Sequence, residues 1–160
     1  MGTLVFGRHP KRTAARIAIV VVAAILFFAF VQPIRVTGIS MFPTYKDRQI
    51  NFVNKLSYLR SHPERGDVVA VRDPGSGVIL LKRVIGLPGE EVAIERGMVY
   101  INGKELDEKA YVKARQPWTE LLDPLPPECY FVIGDNRSMP VTAHTHGVYH
   151  RTNIIGRVLF

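Results

Sequence analysis

The 160-residue sequence predicts a mostly β, antiparallel domain preceded by one N-terminal transmembrane helix. Three observations predict it. Residues 17–34, IAIVVVAAILFFAFVQPI, run without a single charge. Beyond Arg35 the apolar runs are short and β-branched, and Gly, Pro and Asn turns punctuate them. One such turn, Asn102-Gly103, is the dipeptide most favoured in two-residue hairpins. The length suits one modest domain plus an anchor, and is too short for two full domains.

The apolar run spans 18 residues. At about 1.5 Å per residue it reaches roughly 27 Å, a little under a hydrocarbon core. Thr13–Arg16 can lengthen it, with Arg16 snorkelling to the interface. A buried core helix is the competing reading, but a run this long and apolar all round is more than a small domain covers easily. A cleavable secretory signal would end in a small-x-small site, and Phe30, Val31 and Gln32 supply none. Residues 14–34 are therefore expected to be an uncleaved anchor. Arg8, Lys11, Arg12 and Arg16 precede the span with no acid among them. By the positive-inside rule residues 1–13 form a basic cytoplasmic tail, and residues 35–160 an extracytoplasmic domain.

Removing those four cations from the 21 Lys and Arg leaves 17 against all 14 acids, a net of +3 for the domain. Over half of the chain's +7 thus lies in the short tail. No basic stripe with interleaved aromatics is present, so nucleic acid is not an expected partner. A mildly basic domain instead suits anionic lipid headgroups. A single cysteine, Cys129, excludes an internal disulfide, and its strand-like setting CYFVI reads as a buried, inert thiol.

The elements follow in order. DVVAVR at 67–72 reads as a strand entered by Gly66 and ended by Asp73-Pro74-Gly75. VILLKRVI at 78–85 reads as a second, joined to the first by a hairpin across 74–77. Glu91–Ile94, Met98–Ile101, Cys129–Ile133 and Ile154–Leu159 complete the strands. Residues 116–128 contain Pro117, Pro124, Pro126 and Pro127 and read as an irregular loop. A short helical turn is expected around 54–60.

Two residues stand out chemically. Ser40 lies in Gly38-Ile39-Ser40-Met41-Phe42-Pro43-Thr44, a glycine-containing bend that can expose a hydroxyl and aim a backbone N–H at a substrate carbonyl. Alone, a serine in a loop is usually just a turn residue. Lys82 lies within the 78–85 strand, on the face shared by Val78, Leu80 and Val84. Burial disfavours an ammonium, and nearby cations such as Arg83 would act the same way. A neutral lysine can take a proton from a serine hydroxyl. Periodicity equally allows a rim lysine that snorkels out. No His/Asp pair suggests a Ser-His-Asp triad. His144, His146 and His150 lack a carboxylate or thiolate at metal-ligand spacing, and read as a surface loop.

The boxes Gly38-x-Ser40-Met41-x-Pro43-Thr44, Gly66-Asp67-Val68-Val69, Lys82-Arg83-Val84-Ile85-Gly86-Leu87-Pro88-Gly89-Glu90 and Gly134-Asp135-Asn136-Arg137 occur in that order. With Ile154-Ile155-Gly156-Arg157 they resemble the motifs of bacterial type I signal peptidases over almost the whole chain. The resemblance implies a signal-peptidase-like β catalytic domain on the outer face of the plasma membrane. It implies removal of signal peptides from secretory preproteins after small residues at −1 and −3, with no metal or cofactor. Ser40 falls on the nucleophile and Lys82 on the general base. Val36, Gly38, Met41 and Leu81 fall on substrate-binding positions. Gly38 stands where some relatives have a hydroxyl that serves as a second oxyanion donor. Asp135 and Arg137 are expected to organise their turn.

The last box departs from the family. Pro140 stands where many relatives have a serine that bonds the lysine, and Thr142-Ala143-His144 replaces an Asp-Ser-Arg run. Ser138 or Thr142 is the expected substitute hydroxyl. The departure leaves two alternatives: a specialised relative that processes a pilin-type or organelle precursor, and an inactive binder of signal sequences. A self-cleaving repressor of the LexA type would need a DNA-binding domain in place of the apolar helix.

Overall fold

The computed structural model describes residues 10–159. Most of the basic tail expected over 1–13 thus lies outside the described residues. Helix α1, Pro10–Phe30, has a segment from Lys11 to Phe30 with mean hydropathy 2.4 and none of it buried, long and apolar enough to cross a membrane. It ends four residues before the expected boundary at 34. Val31–Arg35 leaves as strand β1, pairing with β2, Ile50–Asn54. Pro33 explains the exit, because it has no N–H to donate and disfavours helical geometry at Gln32. On an edge strand, a proline is tolerated.

The remaining strands are β3 (Val68–Arg72), β4 (Ile79–Gly86), β5 (Val92–Glu95), β6 (Met98–Ile101), β7 (Lys104–Glu105), β8 (Glu120–Leu122), β9 (Cys129–Ile133), β10 (Gly147–His150) and β11 (Ile154–Val158). They form two sheets, β1-β2-β11-β3-β4-β9-β10 and β7-β6-β5-β8. Every pairing is antiparallel. The expected hairpin across 74–77 joins β3 to β4, with Arg72 opposite Ile79. Asn102 and Gly103 take φ of +51° and +75° between β6 and β7, as a two-residue hairpin of this dipeptide requires. The proline-rich segment, expected to be irregular, contributes the short strand β8 against β5. Residues 54–60 form hydrogen-bonded turns rather than helix.

Strand β3 explains its own sequence. Val69 and Val71 enter one apolar cluster with Val84, Tyr130 and Val132, while Val68 and Ala70 enter another with Val36, Met41 and Val53. A strand covered on both faces reads as a continuous apolar run. A third cluster joins the sheets, with Ile85, Phe131 and Ile133 meeting Val92, Ile94, Val99 and Ile101. Cys129 is half-buried and free at the start of β9.

Behind this core, Arg137 is almost wholly buried and its guanidinium meets Glu108 at 2.5 and 3.2 Å. A buried charge without its partner is costly. Glu108→Gln removes the countercharge but leaves one acceptor, so a loss of about 2–3 kcal/mol in unfolding free energy is expected by denaturant titration.

Candidate active site

The segment from Val36 to Gln49 loops out between β1 and β2. Its base is closed by Val36 N–H donating to Gln49 O at 2.9 Å and Arg48 N–H donating to Val36 O at 2.9 Å. Gly38 turns at φ +96°, a conformation that favours glycine, and its N–H donates to Asp47 Oδ1 at 2.8 Å. Phe42 N–H donates to Ile39 O and Tyr45 N–H to Met41 O, so Ser40 sits in a tight turn before the cis Phe42–Pro43 bond. The Ser40 N–H donates to no described group.

The turn after β9 pins this loop. Asn136 N–H donates to Ser40 O at 2.9 Å, and Asn136 Nδ2 donates to Ile39 O at 3.0 Å. Asp135 receives the Thr44 hydroxyl at 2.5 Å and both Nε and Nη2 of Arg83, at 2.8 and 2.6 Å. Arg83 also donates to Gly66 O and lies 4.2 Å from the Tyr111 ring centre. Arg137 Nε donates to Gly134 O at 2.8 Å. Asp135 and Arg137 therefore organise the turn, as the sequence suggested. The double clamp from Asn136 onto the Ile39 and Ser40 carbonyls carried no sequence signal beyond its place in the box.

Ser40 and Lys82 line one cleft of about 430 Å³, although 42 positions separate them. Val36, Met41 and Leu81 line it as well, while Gly38 lies outside that lining. Lys82 is only 2% exposed and does not snorkel out. Burial lowers its pKa from the ordinary 10.5 to about 8, while the Asp135 carboxylate pulls the other way. The Arg83 guanidinium is paired with Asp135 at 2.6 Å. The arrangement holds a hydroxyl and a lysine that is partly neutral near neutral pH in one apolar-walled groove.

Three readings of the last box are corrected. Ser138 is exposed and its hydroxyl donates to Asn136 Oδ1 at 2.6 Å. Thr142 is exposed in a short turn, and neither residue lines the cleft. His144 does not lie on the surface; it is buried at 4% exposure. Local composition reads as a polar loop, and only the packing of the turn around Gly134 reveals the burial.

These features define a β domain with a serine and a buried lysine in one groove, behind an apolar helix. The family model "Signal peptidase, peptidase S26" matches residues 11–160. The chain belongs to this family. It is 35% identical over 144 residues to "Probable signal peptidase I-2" of Synechocystis sp., covering 86% of this chain and 66% of that one. It is 35% identical to "Signal peptidase I" of Leptolyngbya laminosa, covering 75% and 63%. It is 34% identical to "Signal peptidase I" of Bacillus caldolyticus, covering 96% and 90%. The chain thus spans slightly less than two thirds of the first two relatives and most of the third.

Proposed function

We propose that this chain is a membrane-anchored serine endopeptidase that removes N-terminal signal peptides from secreted preproteins. The shared groove of Ser40 and Lys82, with Lys82 buried, is the observation that supports it most. Neutral Lys82 takes the proton of the Ser40 hydroxyl as Oγ attacks the scissile carbonyl. The Ser40 N–H, free of other described partners, donates to the oxyanion that forms. The Lys82 ammonium then gives its proton to the leaving amine as the C–N bond breaks, leaving an acyl ester on Ser40. Water, deprotonated by Lys82, attacks the ester and releases the new carboxylate and the Ser40 hydroxyl.

Val36, Met41 and Leu81 give the groove apolar walls that suit small side chains at −1 and −3. Helix α1 spans the bilayer, and its N-terminal cations keep that end in the cytoplasm, placing the β domain on the outer face. The test is cleavage of a preprotein in detergent. Wild type is expected to release the mature chain at a site with Ala at −1 and −3, and to fail when either is Leu. Ser40→Ala is expected to release none. Product from Ser40→Ala equal to wild type would remove the serine from the reaction. No product from wild type would favour a signal-sequence binder, and cleavage of pilin-type precursors alone would favour a dedicated peptidase.

A further inference from the structure

A neutral amine acts as a base only when its lone pair is aimed, so Lys82 needs a group that fixes its N–H bonds. Of the two hydroxyls expected to supply it, Ser138 is bonded to Asn136 and Thr142 is exposed. His144, by contrast, is buried. Its Nε2 lies 2.9 Å from Asn136 O. A carbonyl only accepts, so Nε2 carries the hydrogen and Nδ1 is a lone pair. That Nδ1 is buried and has no hydrogen-bond partner.

The register places it. Arg83 lies opposite Ile133, so the next pair along is Lys82 and Gly134, whose side-chain directions share one face. A Cβ on Gly134 would point there, 2.2 Å from Ser40 O and 3.3 Å from His144 Cε1. The imidazole and the Ser40 backbone therefore meet over Gly134, and the register continued one step past Ile133 sets Lys82 beside them. Burial first, and then the charge of Lys82, lower the His144 pKa from 6.5 to about 4, which keeps the ring neutral and able to accept.

The other charged groups around this point are already engaged. Asp135 holds Arg83, Glu108 holds Arg137, and Glu120 holds His146 at 2.9 Å. His146 also places Nδ1 2.5 Å from His144 O, with its ring 4.9 Å from that of Trp118. Both His146 nitrogens face acceptors, so the ring ties the 144–146 backbone to β8.

We propose that His144 is the positioning residue for Lys82, its Nδ1 lone pair accepting an Nζ–H so that the remaining lone pair of the amine faces Ser40 Oγ. This rests on Lys82 being the base. It is tested on the full-length enzyme in detergent with a preprotein substrate, using His144→Leu and His144→Asn. The two are isosteric, but only Asn keeps an acceptor at the δ position. His144→Leu is expected to lower kcat about tenfold or more with KM within twofold of wild type. Its acid limb in kcat/KM is expected to move to lower pH, because an acceptor favours the ammonium over the amine and its loss eases deprotonation. His144→Asn is expected to recover most of kcat and the wild-type limb. A merely structural role would lower both variants together without moving the limb, and that result overturns the proposal. So does His144→Leu at wild-type kcat, or an equal loss in Ser138→Ala or Thr142→Ala. If His144→Leu does not fold, the limb and kcat of folded His144→Asn decide alone. Lys82→Met is the separating control. Its activity would remove the base reading itself, whereas its inactivity beside a wild-type-like His144→Leu would remove only this inference.

Discussion

Lys82→Met is expected to lower kcat by about 10³-fold or more while raising the melting temperature at pH 7. The first effect is the loss of the base. The second follows from linkage. The unfolded chain holds the Lys82 proton up to its ordinary pKa of 10.5, and the folded chain only up to about 8. The unfolded state therefore binds more protons between those values, and native stability rises with pH across that window. Below pH 8 the whole cost of the buried ammonium remains. By the energy of each pKa unit it amounts to at most about 3 kcal/mol, less where Nζ reaches the cleft. Methionine fills similar volume without charge, so a gain of about 1–3 kcal/mol at pH 7 is expected by thermal denaturation. A site lysine that costs stability is the signature of a residue kept for chemistry rather than for packing.

Gly134→Ala is expected to lower kcat about 10²-fold. A methyl at Gly134 would lie 2.2 Å from Ser40 O, where no carbon fits. The carbonyl belongs to the backbone of the Ser40 loop, so relief must come from moving that loop or the turn that clamps it. A displacement of about 1 Å at a reacting group costs on that order in rate. Gly86→Ala is the matched control. Its methyl would also crowd, at 2.6 Å from Val92 Cγ2 and 2.7 Å from Leu125 Cδ1, but inside the core between the sheets. Gly86→Ala is expected to lose stability by about 1–3 kcal/mol with kcat of the folded enzyme within threefold of wild type. Equal kcat for both variants would mean that the Gly134 contact does not hold Ser40 in place.

What the sequence disclosed and what it hid follow from the range of the interactions. Strands β3 and β4 were legible because β-branched runs end in turn residues, and the β6–β7 turn because Asn-Gly has few other uses. Lys82 was legible as an anomaly of alternation. Strand β1 was hidden because Val31–Ile34 continues the apolar run of the helix, and only pairing with β2 sets it apart. Strand β8 was hidden by surrounding prolines. Glu108 carried no local mark, since its role is fixed by Arg137, 29 positions away. His144 was misread for the same reason: it packs against Gly134 and Asn136, which share no local pattern with it.

The pH dependence of kcat/KM for preprotein cleavage by the full-length enzyme tests the Ser40–Lys82 pairing most directly. Only neutral Lys82 can accept the Ser40 proton, so kcat/KM is expected to rise about tenfold per pH unit toward pH 8 and to level off above it. His144, already neutral well above pH 4, cannot supply that limb. A profile flat between pH 6 and 9, or the same limb and rate in Lys82→Met, would contradict the account.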